Sequence, residues 1–307
     1  MKHLPTLRSL QYLVALHDEA NFGRAASACA VSQSTLSAAI LNLEEQLGGV
    51  LVERTNKTLS FTALGLALVE RARPLLLAAG ELADIARGWS GELKGPLRIG
   101  IIPTITPFLL PQLLARTGAK FPLLEPRIKE DFTHRLLDDL HQGVLDVALI
   151  ALPWTAPNIA TVAIGRDPFR FICHRDNPLA AQPPRDFSEI PDGRILLLEE
   201  GHCLRQHAID ACRLREASKI NQYSLASLHT LVQMVNLDLG VSFLPQIAID
   251  AGILRGTDVV VSEGAAAGAY RDLGLAWRRS SVRSSEFLAL AREVEGLLAA
   301  VDQRGGT

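Results

Sequence analysis

The chain has 307 residues, of which 48% are hydrophobic and 21% are charged, and its formal net charge at pH 7 is -2. This length is enough for roughly two domains of about 100–200 residues each, and the balanced composition excludes a disordered or solvating chain. Bulk charge gives no sign of a nucleic-acid partner, because lysine and arginine do not outnumber aspartate and glutamate even in the first 65 residues. A function of that kind has to follow from a motif.

No membrane or secretion signal is visible in the sequence. The uncharged runs Ile99–Ala115 and Val147–Gly165 are interrupted by prolines, which disfavours a spanning helix. The N-terminus lacks the apolar core and cleavage site of a signal peptide, so we expect a cytoplasmic protein that makes no use of a membrane. Too few cysteines are present for a disulfide scaffold, and buried thiols are the first expectation for them. They are Cys29, Cys173, Cys203 and Cys212.

The first ninety residues are predicted to be mostly helical. After a first helix, the short segment Phe22–Ala30 forms a second one with Asn21 as its N-cap. Ser32 caps a third helix, which Gly48 ends. The apolar positions of this third helix are spaced as a half-buried helix requires. They are Leu36, Ile40, Leu43 and Leu47.

Two short extended runs follow, Val50–Arg54 and Thr58–Phe61, and they predict a β-hairpin. Thr62 is placed to cap a long helix from about Ala63 to Arg87. From Pro96 onward, strand-like apolar runs alternate with helical patterns as far as a helix near the C-terminus. This alternation predicts a mainly parallel α/β sheet, in one domain or two lobes.

The helix pair around the tight turn at Ala30–Ser32 has the spacing of a helix-turn-helix, which places the start of its second helix against base edges in the major groove. Glutamine can pair there with adenine, and serine or threonine with several groups. Arg24, Arg54 and Lys57 suit phosphate contacts, which position the protein without specifying a sequence. A plain helical bundle with polar residues facing water is the alternative. The polar residues concerned are Ser32, Gln33, Ser34, Thr35 and Ser37.

A second motif contains Cys203 and Cys212, nine residues apart. Gly201 predicts a helix start near Cys203, and His202 and Arg205 offer positive charge that would lower the pKa of the thiol, although two preceding glutamates oppose this. In a helix the two α-carbons would be separated by roughly 13 Å, at about 1.5 Å per residue, whereas a disulfide needs about 4.4–6.8 Å. A disulfide between them would require the helix to unwind, as a conformational switch does.

Three other interpretations of this segment stay open. The two cysteines could be buried structural thiols. With His202 and His207 they could form a metal site, although the spacing does not match the usual zinc patterns. A thiol peroxidase is the enzyme alternative, but nothing else in the chain suggests a peroxidase scaffold. We therefore assign no metal, cofactor or enzymatic activity.

The segments 10–16 (LQYLVAL), 22–26 (FGRAA) and 31–37 (VSQSTLS) resemble the DNA-binding domain of LysR-type transcriptional regulators, and segments 51–54 and 61–65 continue the match. Ser34 departs from the family, which often has proline there. The resemblance implies a winged helix-turn-helix domain at 1–62, a dimerising linker helix at 63–90 and a two-lobed, periplasmic-binding-protein-like α/β domain at 91–307. Lobe I would hold about 91–165 and 269–304, and lobe II about 166–268. A homotetramer, built as a dimer of dimers on promoter DNA, is also implied.

The segment 197–205 (LLEEGHCLR), followed by Cys212, is similar to the redox segment of the OxyR branch of that family. The resemblance implies that hydrogen peroxide oxidises Cys203 and that Cys212 then forms a disulfide with it. It also implies RNA polymerase and a thiol reductant of the glutaredoxin or thioredoxin type as partners. Residues that would hold or polarise peroxide are Thr104, Thr133, His202 and Arg278.

We therefore expect a peroxide-responsive LysR-type regulator. A LysR-type regulator that binds a small organic anion between its lobes and ignores peroxide is the alternative. His207 and Asp210 depart from the redox segment of the branch, so they bear on the redox potential and the kinetics.

Overall fold

The computed structural model describes residues 4–54, 59–88, 93–185, 189–211, 217–262 and 266–302. The chain divides into two compact units, residues 1–90 and 91–307. Within the described ranges, we find no helix that combines the length and the apolar character needed to cross a membrane.

The first unit contains four helices and a two-stranded antiparallel hairpin among its described residues. The predicted order of helix-turn-helix, hairpin and long helix is confirmed. The elements are α1 (Leu7–Glu19), α2 (Phe22–Ala28), α3 (Gln33–Leu47), β1 (Val52–Arg54), β2 (Leu59–Phe61) and α4 (Ala63–Gly88).

The helix boundaries of this unit follow from side-chain caps. The side chain of Asn21 accepts a hydrogen bond from the backbone N–H of Arg24 at 3.0 Å, and Ser32 Oγ accepts one from Thr35 at 3.1 Å. Gly48, in a left-handed conformation with φ of 70°, ends α3. Leu36, Ile40 and Leu43 are buried as predicted, but Leu47 is 36% exposed because the core ends one turn earlier. These caps fix where the exposed first turn of α3 begins.

The second unit is an α/β structure around one seven-stranded sheet. Its strands are β3 (Gly95–Ile101), β4 (Leu124–Glu130), β5 (Val147–Leu152), β6 (Ile159–His174), β7 (Ser242–Pro245), β8 (Val259–Ser262) and β9 (Tyr270–Arg278). Its helices are α5 (Thr106–Lys120), α6 (Thr133–Gln142), α7 (Pro178–Ala181), α8 (Cys203–Ala211), α9 (Leu228–Asn236), α10 (Gln246–Asp250) and α11 (Ser284–Asp302).

The expectation of a mainly parallel sheet is wrong. The strand order is β4-β3-β5-β9-β6-β7, and β8 also pairs with β6. Only the β3–β4 and β3–β5 pairs are parallel among the described strands, whereas β9 lies antiparallel between β5 and β6. Strand–helix alternation along the chain predicts an α/β sheet, but it carries no information on the direction in which a distant strand returns.

The strand β6 connects the two halves of the sheet. Its first part, as far as Pro168, pairs with β9, and its second part, from Phe169, pairs with β7 and β8. Where the partners change, Asp167 lies directly opposite Arg271 in the antiparallel register. Two charged residues are thereby brought together in the interior of the sheet.

We predict that Ser32→Ala lowers the free energy of unfolding of the first unit by about 1 kcal/mol, because the N–H groups of the first turn of α3 lose their acceptor. Urea unfolding followed by circular dichroism would measure this loss. Ser34→Ala is the matched control, because this exposed serine does not cap the helix. Equal losses of unfolding free energy in the two variants would contradict the assignment of Ser32 as the cap.

Candidate functional site

Cys203 is the first residue of α8, as predicted. The preceding Gly201 has a φ of 102°, a backbone conformation that residues with a Cβ rarely adopt, so the turn into the helix depends on glycine. The backbone N–H groups of Cys203 itself and of Leu204 point to the sulfur. The thiol thus lies at a helix N-terminus, where unpaired N–H groups favour negative charge.

Burial nevertheless raises the pKa of the Cys203 thiol above its ordinary value. The charge of Arg271 and the hydroxyl of Thr133 lower it, but they do not overcome the loss of hydration. The residue as a whole is only partly buried and packs against the main core. In this resting state the sulfur is therefore a neutral thiol at pH 7.

Arg271 is the cation of this site, although the sequence did not point to it. Its side chain is fully buried and donates from Nε to Asp167 Oδ2 at 3.0 Å. The guanidinium also donates to Thr104 Oγ1 at 2.8 Å and to the Thr104 backbone oxygen at 3.2 Å. The sequence contains no distinct signal for this pair, because each residue stands next to another charged one, Asp167 after Arg166 and Arg271 before Asp272.

The assignment of Arg278 to the peroxide site is wrong. Its guanidinium donates to the backbone oxygens of Leu140 and Leu145, at 2.7 and 2.8 Å. Arg278 and Arg271 lie at opposite ends of β9, about 24 Å apart along the strand at roughly 3.4 Å per residue. Arg271 precedes the apolar run of β9 and Arg278 follows it. The sequence does not show which end of the strand lies near Cys203.

Arg205 likewise does not supply the positive charge expected of it near the sulfur. It donates to the backbone oxygen of Leu198 at 3.1 Å, and this bond ties the first turn of α8 to the preceding segment. Arg271 is the charged residue that lowers the pKa of the thiol.

The two threonines predicted for this site are both buried, but they have different partners. Thr104 accepts from Arg271. Thr133 begins α6, but Phe132 is the N-cap residue and has no side-chain capping bond. Thr133 Oγ1 lies close enough to lower the pKa of Cys203, yet it makes no hydrogen bond of regular geometry within the described part of the chain. Its hydroxyl is therefore buried without a regular hydrogen-bond partner among the described residues.

His202 is buried beside the thiol. Its ring lies edge-on to Phe132, with the centroids 4.8 Å apart. Burial lowers the pKa of His202, although Glu199 and the backbone of Ala226 raise it. Neither ring nitrogen makes a hydrogen bond of regular geometry with the described residues. The imidazole is therefore neutral at pH 7, and it supplies no positive charge to the thiol.

His207 lies one helical turn after Cys203, on the same face of α8. Burial lowers the pKa of His207, and so does the charge of Arg271. Asp210, Asp272 and the backbone of Leu152 oppose these effects. While α8 is helical, the imidazole of His207 is therefore harder to protonate than that of a solvent-exposed histidine.

The second cysteine of the motif, Cys212, lies outside the described residues. The helix α8 is continuous from Cys203 to Ala211, which separates these two α-carbons by about 12 Å along the axis. Cys173 is buried in β6, and burial together with the charge of Asp238 raises the pKa of its thiol to about 11. Cys29 is partly buried, and burial raises the pKa of its thiol.

A cleft of about 130 Å³ opens next to Thr104 and His202. On its far side His229, near the start of α9, stacks on Phe108 with the ring centroids 5.7 Å apart. Glu130 is the charged residue that lines it, and no lysine or arginine is among the described residues of its wall. No group of three or more metal-ligating side chains is present in the described residues either, but the predicted set includes the undescribed Cys212.

In the first unit, the start of α3 is exposed as a DNA-reading helix requires. Gln33, Ser34 and Thr35 are exposed, and Ser37 is half-buried. Ser32 Oγ lies 2.9 Å from Ser34 Oγ, and it is Ser32 that accepts from the helix backbone. Arg24 is exposed and forms an ion pair with Glu19 at 3.3 Å. The side chain of Arg54 and all of Lys57 lie outside the described residues.

Comparisons with known proteins match both units. The family model described as bacterial regulatory helix-turn-helix protein, lysR family, matches residues 7–77, and that of the LysR substrate binding domain matches residues 90–299. The regulator EstR of Acinetobacter baylyi is 38% identical, over 94% of this chain and 95% of its own. A hydrogen peroxide-inducible genes activator of Dickeya chrysanthemi is 39% identical, over 81% of this chain and 82% of its own.

One solved structure is similar over both units. It is an H2O2-bound cysteine-to-serine mutant of OxyR from Corynebacterium glutamicum, at 33% identity and a TM-score of 0.65. The similarity covers 98% of this chain and 95% of that one.

We predict that acid destabilises the second unit through His207. Its pKa is lowered in the folded state, so the unfolded chain takes up the proton first and stability falls as the pH drops below about 6.5. His207→Gln should make the fall in stability between pH 7.5 and pH 5 less steep, as measured by urea unfolding at each pH. The exposed His134→Gln is the matched control, and equal slopes in His207→Gln and the wild type would contradict the assignment.

Proposed function

The chain belongs to the LysR family of bacterial transcriptional regulators, in its OxyR branch, and on that premise we propose that it is a peroxide-responsive transcription factor switched by a disulfide between Cys203 and Cys212. The observation that carries the proposal is a thiol at a helix N-terminus, with a buried arginine and a hydroxyl without a regular partner beside it. The names of the Dickeya and Corynebacterium relatives connect such proteins to hydrogen peroxide.

The first chemical step is an attack of Cys203 sulfur on one oxygen of hydrogen peroxide. The sulfur loses its proton, a new S–O bond forms, the O–O bond breaks, and the departing oxygen leaves as water. Arg271 and Thr133 would stabilise the negative charge that develops on that oxygen, as donors do in other oxyanion sites. The product is a sulfenic acid on Cys203.

The second step forms the disulfide. The thiol of Cys212 attacks the sulfenic sulfur and displaces its hydroxyl group, which leaves as water with the thiol proton. A disulfide requires α-carbons within about 4.4–6.8 Å, so a helix that holds residues 203 and 211 about 12 Å apart has to unwind. The chemical signal thereby becomes a conformational one.

The conformational change would be transmitted to promoter DNA through subunits of a homotetramer, a dimer of dimers. Gln33, Thr35 and Ser37 at the start of α3 would contact base edges, and Arg24 would contact phosphate. Reorientation of the subunits would change how RNA polymerase is recruited in the cytoplasm, and a glutaredoxin or thioredoxin type of reductant would restore the thiols. The protein would act as a regulator and not as an enzyme.

The cleft argues against the alternative of a regulator for a small organic anion. Its charged side chain is the carboxylate of Glu130, and its described wall contributes no lysine or arginine. A carboxylate repels an anionic ligand, whereas uncharged hydrogen peroxide is unaffected.

The redox proposal predicts a disulfide-linked peptide pair containing Cys203 and Cys212 after treatment of the reduced, full-length protein with stoichiometric peroxide. Mass spectrometry of non-reduced digests would detect it. Cys203→Ser should abolish the pair, whereas Cys173→Ser, which removes a buried thiol of raised pKa, should leave it unchanged. Absence of the pair in the wild type would refute the proposed switch.

The DNA-binding proposal predicts that removing a base contact and removing a phosphate contact change DNA affinity in different ways. Gln33→Ala should weaken binding to the operator by about 1–3 kcal/mol with less effect on unrelated DNA. Arg24→Ala should weaken both alike and reduce the slope of log affinity against log salt by about 0.9. Fluorescence anisotropy at several salt concentrations would measure both effects. Glu45→Ala, exposed at the other end of α3, is the control, and losses from it as large as those from Gln33→Ala would exclude this reading helix.

A further inference from the structure

The ion pair between Asp167 and Arg271 is completely excluded from solvent, with both side chains at 0% exposure. Asp167 Oδ2 accepts from Arg271 Nε at 3.0 Å and lies 2.9 Å from a terminal nitrogen of the guanidinium. The other oxygen, Oδ1, accepts from the backbone N–H of Ile247 at 3.1 Å. Both oxygens of Asp167 thus have partners, and the carboxylate is held at one position.

This carboxylate determines where the guanidinium of Arg271 lies. Asp167 accepts from Nε of Arg271, and Thr104 accepts from the two terminal nitrogens of the guanidinium. The helix α8, which carries Cys203 at its start, packs against β9, which carries Arg271. The charge of Arg271 lowers the pKa of Cys203, and Asp167 is hydrogen-bonded to Arg271 and to the backbone of Ile247.

The pair also determines how strong a field the thiol experiences. A lone guanidinium in a dry interior would strongly favour a thiolate beside it, because the low dielectric leaves its charge unscreened. A carboxylate 2.9 Å from the guanidinium converts that charge into a dipole, whose field falls off more steeply with distance.

We propose that Asp167 is a positioning residue of the redox site: it holds the guanidinium of Arg271 on β9, the strand that packs against α8, and balances its charge. A neutral thiol is a poor nucleophile towards general electrophiles. The arginine stays in place for the moment when charge develops on a departing oxygen. The part of this proposal that concerns peroxide rests on the function proposed above, whereas the acidity of the thiol is measurable without peroxide.

The test is the rate at which iodoacetamide alkylates Cys203 in the reduced, full-length protein, measured across pH by mass spectrometry of the Cys203 peptide. Asp167→Asn keeps an oxygen for Arg271 but removes the balancing charge. It should move the midpoint of the pH profile down by about one unit or more and raise the rate at pH 7 about tenfold. Asp167→Glu, which keeps the charge, should stay close to the wild type.

The double variant Asp167→Asn with Arg271→Gln separates electrostatics from loosened packing. If Asp167 acts through the charge of Arg271, this variant alkylates at close to the wild-type rate. If it is as fast as Asp167→Asn alone, exposure of the thiol explains the effect and the proposal is overturned. An unchanged or slower rate in folded Asp167→Asn also overturns it.

Should Asp167→Asn fail to fold, Arg271→Gln alone gives the decisive comparison. It removes the cation and allows Asp167, whose pKa burial raises, to take up a proton, so it should alkylate no faster than the wild type. A rate well above that of the wild type would show that exposure of the thiol, and not charge, sets the rate, and it would contradict the proposal. A shifted pH profile in a protein that forms no disulfide with peroxide would support the role of Asp167 while refuting the proposed function.

Discussion

The redox site depends on a buried ion pair at the point where β6 changes its partners. Asp167 and Arg271 face each other across the antiparallel ladder without contact with water. Burying two charges is costly unless their hydrogen bonds are satisfied, and here Thr104 and the backbone of Ile247 contribute to satisfying them. Loss of one partner from such a pair typically costs about 3–5 kcal/mol. The pair thus joins the segment after β3 and the start of α10 to one fixed cation.

The helix α8 is suited to open when its thiol is oxidised. It has nine residues, which is too short to be stable in water without packing. Leu204 and Ala208 are its buried apolar residues, and His207 stays neutral on the same side as Cys203. Few contacts therefore have to be broken for the helix to unwind. Unwinding would bring the two cysteines within the distance that a disulfide requires.

Electrostatics and burial favour a small, uncharged oxidant at the proposed redox site. The Cys203 thiol is neutral at rest, and the nearby cleft presents Glu130. A charged oxidant would have to lose its hydration or pass a carboxylate, whereas hydrogen peroxide is small and uncharged. In the proposed mechanism, Arg271 and Thr133 would stabilise the charge that develops when the O–O bond breaks. The same arrangement that favours a neutral thiol at rest would then assist its oxidation.

The sequence by itself determined the features that depend on neighbours a few positions away. The caps Asn21 and Ser32, the exposed first turn of α3 and the start of α8 at Cys203 all follow from hydrogen bonds or conformations within about one helical turn. Resemblance to a family added the roles of the cysteines and threonines. Tertiary structure alone decided that β9 runs antiparallel and that Arg271 replaces Arg278 at the site. It also decided that burial outweighs positive charge at the thiol. These properties arise from contacts between residues far apart in the chain, such as Asp167 and Arg271, which are 104 positions apart. The desolvation and pairing of a charge depend on what surrounds it in space, and no local pattern records that.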